Sequence, residues 1–218
     1  VRHLRRLRDP KGGVGMSYLV NDIFYTLQGE GSHAGRPAVF VRFAKCNLWT
    51  GRESDRASAV CTFCDTEFTT IQYRIEDPLD HLPSNSWDER TPMVVLTGGE
   101  PMLQVDRALM DALYDVPLYV AIETNGTQPI PFYIDWVCVS PKILTRLTVA
   151  RADEVKLVYP QPGVTPEAVH AAIDAESYRL QPMDGPLLAE NTRAAIDYCL
   201  AHPHWSLSVQ THKTIGVK

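Results

Sequence analysis

The sequence predicts an α/β domain built as a partial, pared-down barrel of about six or seven strands with few helices. Three observations predict it. Short runs rich in Val and Ile are continuously apolar, as expected of parallel strands buried on both faces. Helical patterns fall between some of these runs, which calls for right-handed crossovers. Polar or glycine-bearing motifs follow the strand ends one after another, and in parallel α/β folds those ends form the face that carries the active site.

The chain opens on a basic segment. Residues 1–15 hold Arg2, Arg5, Arg6, Arg8 and Lys11 against Asp9, a charge of +4 that leaves −9 for the remainder. A Gly-rich stretch precedes Met16, which reads as the natural start, so 1–15 is expected to be a disordered extension and 16–218 the domain. Contact with RNA is the other reading of the extension.

The first strand is predicted at 39–43 (VFVRF), followed by Cys46-Asn47. The second, 93–97 (MVVLT), runs into Gly98-Gly99-Glu100-Pro101 and a helix over 101–115 with Leu103, Leu109 and Leu113 among its apolar positions. The third, 118–123 (LYVAIE), meets Thr124-Asn125-Gly126, and the fourth, 134–140 (IDWVCVS), meets Pro141-Lys142. The fifth, 154–159 (EVKLVY), precedes a helix over 165–175 with Pro166 in its first turn. The sixth, 177–181 (SYRLQ), runs into Pro182-Met183-Asp184-Gly185 and a helix over 190–201. The seventh, 205–210 (WSLSVQ), ends at Thr211-His212-Lys213. Three helices are too few for a complete eight-fold barrel.

With 218 residues, 44% hydrophobic and 22% charged, the chain has the composition of one soluble domain. It contains no apolar run near the ~18–20 residues of a membrane span, and its N-terminus lacks a secretory h-region, so a cytoplasmic protein is expected. The acidic body argues against general nucleic-acid binding, which needs a basic surface. Five cysteines, an odd number with three clustered, argue for a reducing compartment in which the cluster binds metal.

Those three, Cys46, Cys61 and Cys64, are spaced C-x14-C-x2-C. Three thiolates are one short of a closed zinc centre, and iron–sulfur clusters usually take four cysteines. One metal position is left open to chemistry. Cys138 and Cys199 sit in an apolar strand and a helix, where free cysteine acts as a small hydrophobe. His33 and His212 remain as fourth ligands for zinc.

The three-cysteine site, with Phe63 before its last cysteine and GGEP after the next strand, resembles the radical S-adenosylmethionine superfamily. More narrowly it resembles the 7-carboxy-7-deazaguanine synthase family. The superfamily's usual spacing is C-x3-C-x2-C; the insert 47–60 departs from it, and an expanded spacing is known in the synthase family. Thr26-Leu27-Gln28-Gly29-Glu30-Gly31, Cys64-Asp65-Thr66, Leu96-Thr97-Gly98-Gly99-Glu100-Pro101, Glu123-Thr124-Asn125-Gly126, Ser140-Pro141-Lys142 and Gln210-Thr211-His212-Lys213 agree with it, from Met16 to the C-terminus.

The resemblance implies a radical S-adenosylmethionine type of partial barrel. Cys46, Cys61 and Cys64 would hold three irons of a [4Fe-4S] cluster, with the fourth iron bound by S-adenosylmethionine. Gly98 and Gly99 would let backbone approach its methionine moiety and Glu100 would pair with its ammonium; a plain strand-to-helix turn is the other reading. Phe63, Cys64 and Asp65, the segment Ser140, Pro141 and Lys142, and the segment Gln181, Pro182, Met183 and Asp184 would contact the cofactor, although Gln181-Pro182 also reads as a turn.

The implied substrate is 6-carboxy-5,6,7,8-tetrahydropterin. Leu27, Gln28, Gly29 and Glu30 would meet its guanidine-like edge. Arg42, a charge inside an apolar strand, would take its carboxylate unless an internal salt bridge satisfies it. Thr66 resembles the family's Mg2+ ligand, credible if the substrate supplies further oxygens, and otherwise reads as a turn residue. Thr97 and His212 are further substrate-side candidates. Lys218 would contribute a main-chain carboxylate, a frayed tail being the alternative.

The implied reaction abstracts hydrogen from C6, contracts the ring, returns the hydrogen and releases ammonia. Implied partners are a second copy of the chain in a homodimer and an electron donor such as flavodoxin or ferredoxin. Two other readings stand beside this one: a radical activase acting on a partner protein's glycine, and a zinc-stabilised binding module.

Overall fold

The computed structural model describes residues 17–76 and 93–218. The basic segment 1–15 and the expected start at Met16 lie outside the described residues.

Among the described residues nine strands form one sheet: β1 (Tyr18–Leu27), β2 (Pro37–Phe43), β3 (Tyr73–Ile75), β4 (Met93–Gly98), β5 (Tyr119–Thr124), β6 (Trp136–Val139), β7 (Arg151–Tyr159), β8 (Asp174–Pro182) and β9 (Trp205–Leu207). The strand order is β3-β1-β2-β4-β5-β6-β7-β8-β9. From β2 to β9 every neighbouring pair is parallel. These seven are the seven strands expected from the sequence. The two unforeseen strands, β1 and β3, form an antiparallel edge.

Among the described residues four α-helices accompany the sheet: α1 (Arg107–Tyr114), α2 (Pro166–Ala172), α3 (Leu188–Ala201) and α4 (Thr211–Ile215). The helix expected over 101–115 is broken into a 3-10 turn at Pro101–Leu103 and α1. The Asp106 carboxylate accepts from the Leu109 amide at 2.9 Å and so restarts the helix as an N-cap. The second expected helix ends early because Ile173 already has extended backbone and leads into β8. The last strand stops at Leu207, and Thr211 opens α4. The insert 47–60 carries one 3-10 segment, Glu53–Ser58.

Alternation sorts side chains between the two faces of the sheet. On the outer face Val94, Leu96, Val120 and Ile122 meet Leu109, Met110 and Leu113 of α1. Farther along, Val155, Leu157 and Leu180 meet Val169, Ile173 and Ala195 around α2 and α3. The inner face begins with an apolar layer, Ala38, Phe40, Met93, Val95 and Ala121. One step on toward the strand ends the same face turns polar: Arg42 is in register with Thr97, and Glu123 with Cys138.

The loop after β1 closes the ring of strand ends. Gly31 N–H donates to the Ser208 hydroxyl at 2.9 Å, Ser32 N–H to Glu154 at 2.6 Å, and Thr211 N–H to the Gly29 carbonyl at 3.0 Å. A short loop thereby replaces the strands that a full barrel would have. The result is a mixed α/β fold with a nine-strand sheet and few helices.

Candidate active site

The inner face and the strand-end loops enclose a cavity of about 390 Å³, in the size range of small-molecule sites. Nearly all the site residues expected from sequence line it, with two exceptions, Glu100 and Pro141.

Cys46 follows β2, and Cys61 and Cys64 lie in the irregular segment beyond the insert; all three are free thiols on the cavity wall. Burial pushes the Cys46 thiol up. A hydrogen bond between Cys61 and Cys64 pulls Cys64 down to about 6 and pushes Cys61 up. Thiolate is the metal-binding form. Arg56 of the insert donates to the carbonyls of Thr62 and Cys64, both at 3.1 Å, and lies 4.0 Å over the Trp49 ring. The insert is therefore a brace for the Cys61–Cys64 turn.

No group of three His, Cys, Asp or Glu among the described residues is placed to hold a single metal ion. His33 packs instead against Trp136 and Tyr119. Cys138 is buried beside Glu154, and Cys199 is on α3. Cys46, Cys61 and Cys64 present three thiols on one wall, and cysteine thiolates are the donors that iron–sulfur groups take.

Gly98 and Gly99 line the cavity, and close packing dictates both. A Cβ on Gly98, whose φ is +128°, would lie 2.2 Å from the Phe43 carbonyl oxygen, and one on Gly99 would lie 2.1 Å from that of Lys45. Glu100 differs from expectation. It is fully buried behind the wall, where it accepts from Met102 N–H at 3.0 Å, Thr124 Oγ1 at 2.7 Å and Asn125 N–H at 2.8 Å. Burial raises its pKa. Its carboxylate ties the GGEP turn to the Thr124-Asn125-Gly126 loop and does not face the cavity.

Lys142 reaches the wall, donating to the Ser140 carbonyl at 2.9 Å and lying 6.0 Å from the Phe63 ring centroid. Pro141 is buried outside the wall, its carbonyl accepting from Gln161 at 2.9 Å. Gln181, Pro182, Met183 and Asp184 line the opposite end of the strand series. Lys213 of α4 bridges Asp184 at 2.5 Å and Asp65 at 2.8 Å, so the helix is pinned across two loops of the site.

On the substrate side, Leu27, Gln28, Gly29, Glu30, Thr97 and His212 all reach the cavity. Gly29 has no room for a side chain, since a Cβ would lie 2.0 Å from His212 Nδ1. Thr66 lines the wall. Lys218 lines it too, with its ammonium paired to Asp22 and 4.7 Å over the Phe24 ring. Arg42 lines the cavity, makes no ion pair among the described residues, and has a buried Nε without a hydrogen-bond partner.

Sequence reasoning missed Lys156, Glu123 and Gln210 as site residues. Lys156 is 5% exposed and pairs with Glu30 at 2.5 Å and Glu123 at 3.1 Å. Gln210 donates to Glu30 at 2.9 Å. Lys156 carried the signal that exposed Arg42, a lone charge within an apolar strand.

Fold and site together define an open-sided α/β enzyme with a three-thiolate cofactor mouth over a polar small-molecule cavity. No family model matches the chain. The 7-carboxy-7-deazaguanine synthase of Bradyrhizobium diazoefficiens is 53% identical over 213 residues, covering 93% of this chain and 100% of that protein. The synthase of Bacteroides thetaiotaomicron is 42% identical over 199 residues, covering 91% and 98%. The crystal structure of QueE from Escherichia coli superposes with a TM-score of 0.65 at 28% identity, covering 90% of this chain and 95% of that one. The chain belongs to the 7-carboxy-7-deazaguanine synthase family and is a radical S-adenosylmethionine lyase of queuosine biosynthesis. That membership implies a [4Fe-4S] cluster and S-adenosylmethionine, and it displaces the activase and zinc-module readings.

Proposed function

We propose that this enzyme converts 6-carboxy-5,6,7,8-tetrahydropterin to 7-carboxy-7-deazaguanine with release of ammonia. The observation that carries the reading is Arg42: a guanidinium on the cavity wall with an orphaned Nε and no ion pair among the described residues. The guanidinium is half-buried and lies 5.5 Å over the Phe24 ring, but a buried N–H without an acceptor is costly, and a planar carboxylate is the ligand that satisfies it. The polar floor supplies what the other end of such a substrate needs. Gln28, Glu30 and Glu123 offer acceptors toward a heterocycle edge rich in N–H donors.

Cys46, Cys61 and Cys64 would hold the cluster, leaving one iron for S-adenosylmethionine, and the cavity-facing parts of Phe63, Gly98, Gly99, Lys142 and Gln181 would surround that cofactor. When reduced, the bound pair supplies a carbon radical that can abstract hydrogen. The protein's own work is to fix the substrate by its carboxylate and its donor edge and to exclude water.

Mg2+ belongs to the same proposal, with Thr66 as its protein oxygen and the substrate carboxylate completing the shell alongside water. Lys218 is proposed to reach the substrate as well. The enzyme is further proposed to act as a cytoplasmic homodimer reduced by a donor such as flavodoxin or ferredoxin. No described helix is long and apolar enough to cross a membrane.

The test is anaerobic reconstitution with iron and sulfide, followed by reductant, S-adenosylmethionine and the carboxytetrahydropterin, with and without Mg2+. A deazaguanine chromophore and free ammonia in equal amounts are expected, with Thr66→Ala keeping its iron but losing most of the Mg2+ response. An enzyme that loads the cluster and leaves the pterin unchanged overturns the substrate, and an unchanged Mg2+ response in Thr66→Ala overturns the metal ligand.

A further inference from the structure

Lys156 lies on β7 between Val155 and Leu157, two residues with no exposed surface that face the outer core. Its own side chain turns the other way, into the cavity. There its ammonium sits between the carboxylates of Glu30, from the loop after β1, and Glu123, from β5. Each acid has a further partner. Glu30 Oε1 accepts from Gln210 at 2.9 Å, and Glu123 accepts from Thr97 Oγ1 and from Gln28 Nε2, both at 3.2 Å.

An ionised carboxylate only accepts hydrogen bonds, whereas a protonated one donates. Two carboxylates forced together without a cation share a proton, and one of them then turns from acceptor to donor. On a wall meant to receive N–H donors, that change replaces an attraction by a clash of like dipoles.

We propose that Lys156 is a positioning residue that keeps Glu30 and Glu123 both ionised and apart on the cavity floor, so that they accept the N–H edge of a 2-aminopyrimidinone ring. The proposal rests on the pterin reading above. It adds that the specificity element is a three-residue unit, Glu30–Lys156–Glu123, assembled from three separate elements of the fold.

The surroundings agree. Burial alone would lower the Lys156 pKa, but Glu123 and Glu30 outweigh it and hold the ammonium well above its ordinary range. Burial would raise Glu30, but Lys156, helped by Gln210 and His212, outweighs it and holds the carboxyl down. Other groups face the unit. Cys138 from β6 and Glu154 from β7 lie beneath it, the first donating to the second at 3.5 Å. His212 from α4 acts on Glu30, and Lys142 from the loop after β6 feels Lys156. Arg42 on β2 and Asp65, joined to Gln210 at 3.2 Å, stand on the same cavity. Glu154 and Asp65 favour a shared proton once Lys156 is removed, and His212, Lys142 and Arg42 oppose it. None of these is placed between the two acids as Lys156 is.

The experiment measures the Kd of 6-carboxy-5,6,7,8-tetrahydropterin on the cluster-loaded, unreduced enzyme with S-adenosylmethionine, anaerobically, from pH 6 to pH 9. Lys156→Met should weaken binding about 100-fold at pH 6–7, the scale of losing one partner of a buried pair. The loss should shrink at higher pH as the shared proton leaves, and Lys156→Arg should retain most of the affinity. In Lys156→Met with Glu123→Gln, only one acid remains, so the pH dependence should disappear; this variant also keeps the test open if the single one does not fold. A loss in Lys156→Met that is equal at all pH values, or no loss, overturns the proposal. If the unmodified enzyme does not bind the pterin at any pH, the substrate reading fails first, and Lys156 loses the role with it.

Discussion

Two cations on the same inner face, Lys156 buried and Arg42 half-buried, are treated in opposite ways. On β7, Lys156 is enclosed by two carboxylates, whose remaining oxygens have partners of their own. On β2, Arg42 has no ion pair among the described residues, and its Nε finds no acceptor. A related contrast separates the three thiols of the cysteine loop, held by weak sulfur hydrogen bonds and no disulfide, from Glu100, whose carboxylate takes three hydrogen bonds. Groups left incomplete by the protein mark where a ligand must finish the structure, and groups completed by the protein hold that ligand's surroundings in place.

The largest break in this contrast is expected at the cysteine loop. Cys61→Ala should remove the cluster's visible absorption, reduce bound iron to background and abolish product. The fold should persist, because Cys61 contributes little to either large apolar cluster. A variant that keeps its iron and turns over would mean that this thiol is not a ligand.

Arg42→Ala is expected to be the next largest. Losing the carboxylate's partner should lower kcat/KM by about 100- to 1000-fold, roughly 3–4 kcal/mol of lost stabilisation. Stability should move the other way or stay still, because the change removes a half-buried guanidinium whose buried Nε the protein does not satisfy. Urea unfolding of the substrate-free protein measures this. A clear loss of stability would show that Arg42 is satisfied internally and sharpen the contrast with Lys156 out of existence.

How much of this was legible in the chain follows from what each signal encodes. The seven parallel strands could be read in order because burial on both faces makes them continuously apolar, as in MVVLT and LYVAIE. β1 escaped notice because an antiparallel edge carries polar residues such as Asn21 and Asp22 within it, and β3 has only three residues. The cysteines, Arg42 and the strand-end loops were legible because each motif names its own place in the fold. The burial of Glu100 behind the wall was not legible, since a motif fixes the loop but not the direction in which a side chain turns. The Lys156 unit was hidden for a different reason: its members stand 126 and 33 positions apart, and only the folded sheet brings them together.

The smallest expected effect belongs to a pair far from both kinds of wall, and it tests whether the others are local. Glu167 on α2 accepts from the Tyr198 hydroxyl of α3 at 2.7 Å on the exposed side of the helices. That hydrogen bond is the main cause holding its pKa below the ordinary carboxyl value of 4.5. A carboxyl with a lowered folded pKa adds stability that is complete above its unfolded value and is lost as pH falls through the folded one. Glu167→Gln should therefore show a slightly lower urea midpoint than the parent at pH 6, and the gap should close toward pH 3. Exposed interactions of this kind are weak, so the gap should be near the limit of detection. Iron content and pterin affinity should not change. If they do, α2 and α3 communicate with the cavity through β7 and β8, and the walls cannot be treated as independent of the outer face.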